Sequence, residues 1–252
     1  MQTPEAKAAL LAYQDKHFTK KDLSAQNEKE IHEALREPTP LAVLKKIWQT
    51  KKLADGTLAV IAYKGEDTDI VVPDKFGPNL VTVIGEYAFS PDKPRLSADL
   101  KAHHESIKSV VLPAGITVIE ANAFDGCRML QSVSLPGTLK TIGEYAFNGS
   151  GITSIEIPGS VETVGRLALH FSTVREVIVS AGVGALEGLF GINPTLNTVR
   201  ICGADTVTRD ILNIESFFKR TAEDYPELTV YAPTGSDIRE YCLAHGVKFE
   251  EI

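Results

Sequence analysis

Long apolar runs are missing from this 252-residue chain. Its longest purely apolar stretches, such as residues 58–63, are five or six residues, far below the roughly 20 that a membrane-crossing helix needs. Cysteine is scarce too: Cys127, Cys202 and Cys242 are too few and too scattered for a disulfide framework. Positive charge is in deficit. Lys and Arg number 26 against 33 Asp and Glu, a net charge of −7, which disfavours nucleic acid and anionic lipid as partners. The deficit is uneven, with 10 basic against 8 acidic residues over 1–56 and 16 against 25 beyond.

Catalytic and metal motifs are equally absent. There is no CxxC, HExxH, zinc-spaced Cys/His cluster, GxSxG or Walker sequence, so neither a metal nor a cofactor is expected. Gly182-x-Gly184 lacks the third glycine of a dinucleotide fingerprint. The first thirty residues hold no apolar stretch fit for a secretory signal. The default expectation is therefore cytoplasmic, or the cell surface if the chain is a piece of something longer. On that footing Asn148-Gly149-Ser150 reads as a turn with an accidental match to a glycosylation acceptor.

What is present is a repeat. Residues 107–127 (IKSVVLPAGITVIEANAFDGC), 130–150 (LQSVSLPGTLKTIGEYAFNGS), 152–172 (ITSIEIPGSVETVGRLALHFS) and 174–194 (VREVIVSAGVGALEGLFGINP) align, with starts 23, 22 and 22 residues apart. Residues 196–202 carry the opening half of a further unit. Upstream, 69–73 (DIVVP) and 83–89 (VIGEYAF) form a stretched first copy, and an insertion of roughly 91–106 separates it from the next.

Each copy opens with an alternation that predicts a short half-buried strand: Leu130, Val133 and Leu135 on one side, Gln131, Ser132 and Ser134 on the other. Pro113, Pro136 and Pro158 follow the strands directly and turn the chain, because proline cannot continue a hydrogen-bond ladder. Ile142 then leads into Ala146-Phe147, a small residue beside a large ring, suited to a tight return. One such unit buries too little to offset the entropy of ordering itself, so the units must stack as a solenoid.

The frame L-x-x-V-x-L-P, six residues, I-G-x-x-A-F, then a small residue such as Cys127, resembles the BspA-type leucine-rich repeat, over roughly residues 57–252. The resemblance implies an α/β repeat fold: a right-handed leucine-rich-repeat solenoid with a parallel β-sheet, a short N-terminal helical segment and a C-terminal strand-helix cap. Toward the C-terminus Ser180, Leu169 and Glu187 replace the expected proline, phenylalanine and glycine. Two domains are expected, a helical segment over 1–54 and the solenoid with its caps over 55–252. Within the first, Thr3-Pro4 and Thr39-Pro40 predict helices near 4–16 and 40–52, with another near 27–36; residues 5–18 resemble the last helix of an ankyrin-like array. Residues 58–63 and 68–72 read as a hairpin covering the first unit. At the far end, 207–222 has helical spacing, Thr229–Ala232 reads as a strand and Ser236 as the N-cap of a closing helix ending at Gly246; such a strand, turn and helix also commonly closes similar proteins.

Cys127, Cys202 and Cys242 fall on repeat or helix positions that suit structural roles. His103 and His104 are expected in a solvated loop. His170 shares a column with Asp125 and Asn148 that reads as an exposed back-face ladder. Lys45, Lys46, Lys51 and Lys52 flank Ile47-Trp48 and read as the solvated face of one helix.

Only the outward strand positions are free to vary without harming the stack. They form columns: Lys108, Gln131, Thr153, Arg175, Asn197; then Ser109, Ser132, Ser154, Glu176, Thr198; then Val111, Ser134, Glu156, Ile178, Arg200. A continuous face of about five strands, ~20–25 Å long, suits a protein or peptide better than a metabolite. The candidate protein-binding residues are Lys108, Gln131, Ser134, Thr153, Glu156, Arg175, Glu176, Ile178, Asn197 and Arg200, with Arg175, Glu176, Ile178 and Arg200 the richest in anchors. The expected function is a non-enzymatic protein-binding module of adhesion or interaction type, as the resemblance implies, acting as a monomer. The alternatives are a structural spacer in a larger protein and an enzyme using the 91–106 insertion.

Overall fold

A computed structural model describes residues 41–209, 211 and 225–252. Two compact units divide the chain, Met1–Trp48 and Gln49–Ile252. In the first, Leu41–Ile47 is helix α1; the Thr39-Pro40 cap itself lies outside the described residues. The expected extension to residue 52 does not form: Trp48–Lys52 is strand β1, so Lys51 and Lys52 do not share a helix with Lys45 and Lys46. The helices expected near 4–16 and 27–36 lie outside the described residues.

The second unit is a coil whose turns stack through two lines of parallel strands. The first line is one sheet of nine strands. It joins β1 and β2 (Leu58–Tyr63) to β5 (Asn79–Ile84), β7 (Val118–Ile119), β9 (Thr141–Ile142), β11 (Thr163–Val164), β13 (Ala185–Glu187) and β15 (Val207–Arg209), with β4 (Lys75–Phe76) beside β5. The second line carries the L-x-x-V-x-L strands. It holds β3 (Asp69–Val71), β6 (Ser109–Val111) and β8 (Ser132–Ser134) in one sheet, and β10 (Ser154–Ile157), β12 (Glu176–Val179), β14 (Thr198–Ile201), β16 (Thr229–Ala232) and β17 (Lys248–Glu251) in another.

Between the two lines runs a ring stack. Phe89, Phe124 and Phe147 come from successive A-F returns, at centroid separations of 5.0 and 5.2 Å and within 7° of parallel. That spacing matches the strand-to-strand distance of a sheet and falls within the range of favourable offset stacking. The rings are essentially solvent-free, as are Ile119, Ile142, Leu130 and Leu139 around them.

Three expectations about the ends need correction. Residues 58–63 and 68–72 are not a hairpin, since β2 lies in the nine-stranded sheet parallel to β5 and β3 pairs with β6 in another. The hairpin joins β1 to β2 instead, through a turn in which Leu53 N–H donates to Thr57 O at 2.9 Å and Asp55 accepts from Thr57 N–H. Residues 58–63 are thus the second strand of an earlier turn of the coil, and Tyr63 extends the ring stack 6.2 Å from Phe89. At the other end Val207–Arg209 is strand β15, not the start of a helix; residues 212–222 of that expected helix lie outside the described residues. Thr229–Ala232 is a strand as predicted. The closing helix α3 (Ile238–His245) is capped at Asp237 rather than Ser236, and Gly246 ends it in the left-handed conformation. Asp237 gives its carboxylate to Thr208, accepting from its N–H at 2.9 Å and its hydroxyl at 2.7 Å, which ties the cap to β15.

The 91–106 insertion is not a solvated loop. Ala98–Glu105 forms helix α2, with Ser97 as its N-cap. His104 is wholly buried, its Nδ1 3.0 Å from Ser90 O and its Nε2 2.8 Å from Tyr63 O. The insertion is therefore clamped onto the first two turns of the coil by one imidazole, whose ring nitrogens each lie within hydrogen-bond distance of a carbonyl oxygen.

Candidate protein-binding face

Strand register decides which side chains the L-x-x-V-x-L sheets present together. β10, β12, β14 and β16 pair in parallel with Ser154, Glu176, Thr198 and Thr229 aligned, followed by Glu156, Ile178, Arg200 and Tyr231 two positions on. β17 extends the rows with Lys248 and Glu250. The intervening Ile155, Val177, Val199 and Val230 are buried, as period-two alternation requires.

The face is not continuous. The ladder breaks between β8 and β10, which belong to separate sheets. At the break Val133 and Leu135, expected in the core, are only half-buried. Lys108, Gln131 and Ser134 therefore sit with the three-stranded sheet. Thr153, Glu156, Arg175, Glu176, Ile178, Asn197 and Arg200 sit together with the five-stranded one. Of these ten, Ser134, Ile178 and Arg200 are half-buried and the others exposed.

On the five-stranded sheet the row Glu156, Ile178, Arg200, Tyr231, Glu250 is chemically the richest. The Arg200 guanidinium carbon lies 4.6 Å above the centre of the Tyr231 ring, a cation–π contact that holds the long side chain flat. At one end Glu156 accepts from the Ser180 hydroxyl at 2.8 Å. At the other, Glu250 pairs with Lys248 at 2.8 Å, and this hydrogen bond and charge hold the Lys248 ammonium above the usual lysine range. An apolar Ile178 and a stacked Arg–Tyr pair between two carboxylates form a patch with an anchor at its centre and charge at its rim. Tyr231, Lys248 and Glu250 were missed in the sequence. Tyr231 was legible, since its strand was predicted, but it falls 31 residues after Arg200 rather than 22.

The space between Ile142, Phe147, Ile155 and Val164 is about 10 Å³, barely one water molecule. Among the described residues no group of three or more His, Cys, Asp or Glu side chains is placed to hold a metal ion, and no helix is long and apolar enough to cross a membrane.

The cysteines differ in burial. Cys127 is buried, its Sγ 3.3 Å from Phe89 O, and burial, reinforced by Asp125 and Asp92, pushes its thiol far above the ordinary range. Cys242 is buried in α3 and burial pushes it up to about 12. Cys202 is exposed. His170 is not on an exposed ladder: it is 5% exposed and its Nδ1 accepts from Ile192 N–H at 3.0 Å.

No curated protein matches the chain in sequence. In structure it resembles the pneumococcal vaccine antigen PcpA (TM-score 0.54, 16% identity, 79% of this chain and 46% of that one). It also resembles leucine-rich repeat proteins from Bacteroides ovatus (0.50, 16%, 75% and 58%) and T. pallidum (0.50, 19%, 81% and 96%). The chain thus spans about half the length of the first two. Residues 100–211 match the model of the BspA type leucine rich repeat region in six copies. With strands, returns and ring stack all following that frame, this part of the molecule is a BspA-type leucine-rich repeat region, a repeat of a kind often engaged in protein interaction.

Proposed function

We propose that the protein is a non-enzymatic binding module whose five-stranded sheet face engages a protein or peptide. The observation that carries this reading is the row Ile178, Arg200, Tyr231. The arginine is preorganised on a ring beside a half-buried aliphatic side chain, so little side-chain freedom is left to lose on binding. Arg175, Glu176 and Asn197 on the neighbouring exposed positions supply a polar surround. Adhesion is the specific form the reading takes, in keeping with the kind of repeat. The test is photocrosslinking from position 178 in the full chain, exposed to host and bacterial extracts, with and without Arg200→Ala and Tyr231→Ala. A discrete adduct lost in both variants, with circular dichroism unchanged, is expected. Equal adducts in all three proteins, or from a control position such as Glu162, would sink it and favour a spacer that holds neighbouring segments apart.

A further inference from the structure

The five-stranded face holds a cation without an anion. Arg200 is half-buried between Ile178 and Tyr231 in its row, and the tyrosine ring covers one face of its guanidinium at 4.6 Å. Among the described residues no hydrogen bond or ion pair engages its N–H groups. Those donors lie in the plane of the guanidinium, so stacking on a ring leaves them open to an acceptor. Half-burial limits the water that can serve them, and an acceptor from outside completes the arrangement.

The neighbouring carboxylates do not fill that role. Glu156, two strands away in the same row, accepts from the Ser180 hydroxyl at 2.8 Å. Glu250, two strands away on the other side, pairs with Lys248 at 2.8 Å. Glu176 is nearer, on the adjacent strand opposite Thr198, which puts it diagonal to Arg200. It is exposed and pairs with no cation among the described residues. The row therefore presents a preorganised guanidinium whose acceptor is missing, with an aliphatic side chain directly beside it.

The surroundings select that acceptor. Glu156, Glu176 and Glu250 surround the guanidinium and the whole chain carries −7, so a phosphate dianion meets more repulsion here than a single carboxylate does. A carboxylate is planar and takes two parallel N–H bonds from a guanidinium. Ile178, directly opposite Arg200 on the adjacent strand, is half-buried and offers an apolar contact alongside. We infer, building on the sheet-face reading, that Arg200 determines specificity on this face by taking a carboxylate of the protein partner. That carboxylate is an Asp or Glu side chain flanked by an apolar residue that lies on Ile178. Glu176 works in the opposite sense: it repels the incoming carboxylate and so restricts what can bind.

The probes are the end-blocked pentapeptide Leu-Ser-Glu-Ser-Leu and its counterparts with glutamine, lysine or phosphoserine at the centre, titrated into the full chain at physiological ionic strength. Affinities are read by NMR from the backbone amides of β12 and β14, and the Arg200 Nε–H signal reports the contact itself. The glutamate peptide is expected to shift that signal and to bind at least fivefold tighter than the glutamine peptide, with the lysine peptide weakest. The preference for glutamate is expected to vanish in Arg200→Gln and to fall at least threefold in Arg200→Lys, which keeps the charge without the planar fork. In Glu176→Gln it is expected to grow at least twofold. Arg128→Gln removes an exposed arginine outside this sheet and is expected to change nothing; thermal melts verify that each variant folds. Equal binding of the glutamate and glutamine peptides, tighter binding of the phosphoserine peptide, a preference that survives Arg200→Gln, equal loss in Arg128→Gln, or no binding of any peptide would overturn the carboxylate assignment. The crosslink from position 178 tests separately whether the face binds a protein at all. A crosslinked partner that excess glutamate peptide fails to displace would leave that reading standing and sink this one.

Discussion

Two glycines six residues apart should respond to the same substitution with opposite sign. Gly143 opens the return of the third I-G-x-x-A-F frame, pressed against the preceding turn. An added Cβ would lie 2.6 Å from Glu120 C and 2.9 Å from Ala121 Cα, and closer still to Ala121 N. All of these are backbone atoms, which cannot rotate away. Reaching ordinary contact requires the two turns to part by about 1 Å. They are held by Gly143 N–H to Ile119 O at 2.8 Å, Asn122 N–H to Glu144 O at 3.0 Å and Phe124 N–H to Ala146 O at 2.8 Å. Stretching three such bonds out of range, at about 1 kcal/mol each, makes Gly143→Ala destabilising by about 3 kcal/mol, before any loss from the Phe124–Phe147 stack. Gly137, just after Pro136, has nothing within 4 Å of an added Cβ and no left-handed φ. There alanine only restricts the unfolded chain, stabilising by about 0.4–1 kcal/mol. For a unit of this size 1 kcal/mol corresponds to roughly 2–4 °C in Tm. Differential scanning calorimetry should therefore show Gly143→Ala melting ~6–12 °C below the parent and Gly137→Ala slightly above it. A Gly143→Ala protein melting within a degree or two of the parent would refute the claim that backbone contact sets the spacing between turns.

Thiol chemistry offers a second check. In the native protein one thiol, Cys202, should react with a disulfide reagent at mildly alkaline pH, and all three in denaturant, because Cys127 and Cys242 are buried and held protonated; three fast-reacting native thiols would contradict the packing. A third check is pH. Burial first, and Asp92 as well, raise Asp125 above the ordinary carboxylate range against the opposing Asn148 hydrogen bond. The folded state therefore holds this proton more tightly than the unfolded one, so Asp125's contribution to stability falls as pH rises from the ordinary value through the raised one and stays lost at neutrality. Asp125→Asn should melt at or above the parent at neutral pH, with the advantage vanishing in acid; a mutant less stable at neutral pH than in acid, relative to the parent, would reverse that sign.

The parts of the fold legible in the sequence were those enforced once per turn. The apolar–polar alternation seen in Ser154–Ile157, the prolines after the earlier strands and the Ala-Phe return recur because each turn solves the same packing problem, and the stacked Phe89, Phe124 and Phe147 are its visible result. What escaped were features set by how a turn meets its neighbour. Residues 58–63 carry β2 without a recognisable first half, so the repeat is one turn longer than its motif. His104 looked solvated because nothing in His103-His104-Glu105 announces the carbonyls of Tyr63 and Ser90, 41 and 14 residues away, that draw the ring inward.

The break in the binding face belongs to the same class, and repeat spacing does not announce it. Two residues, Arg128-Met129, link the copy ending at Cys127 to Leu130, whereas Gly151 alone links Ser150 to Ile152. That longer, 23-residue step falls between β6 and β8, which nevertheless pair in register, so the extra residue is absorbed in the return before the next strand begins. β8 and β10 lie 22 residues apart and belong to separate sheets, with Val133 and Leu135 half-buried at the break. From Ser154 onward the same 22-residue spacing runs through Thr198, and there the register holds across β10, β12 and β14. The candidate anchors Ile178 and Arg200 sit on that regular stretch, where the backbone beneath them is best fixed.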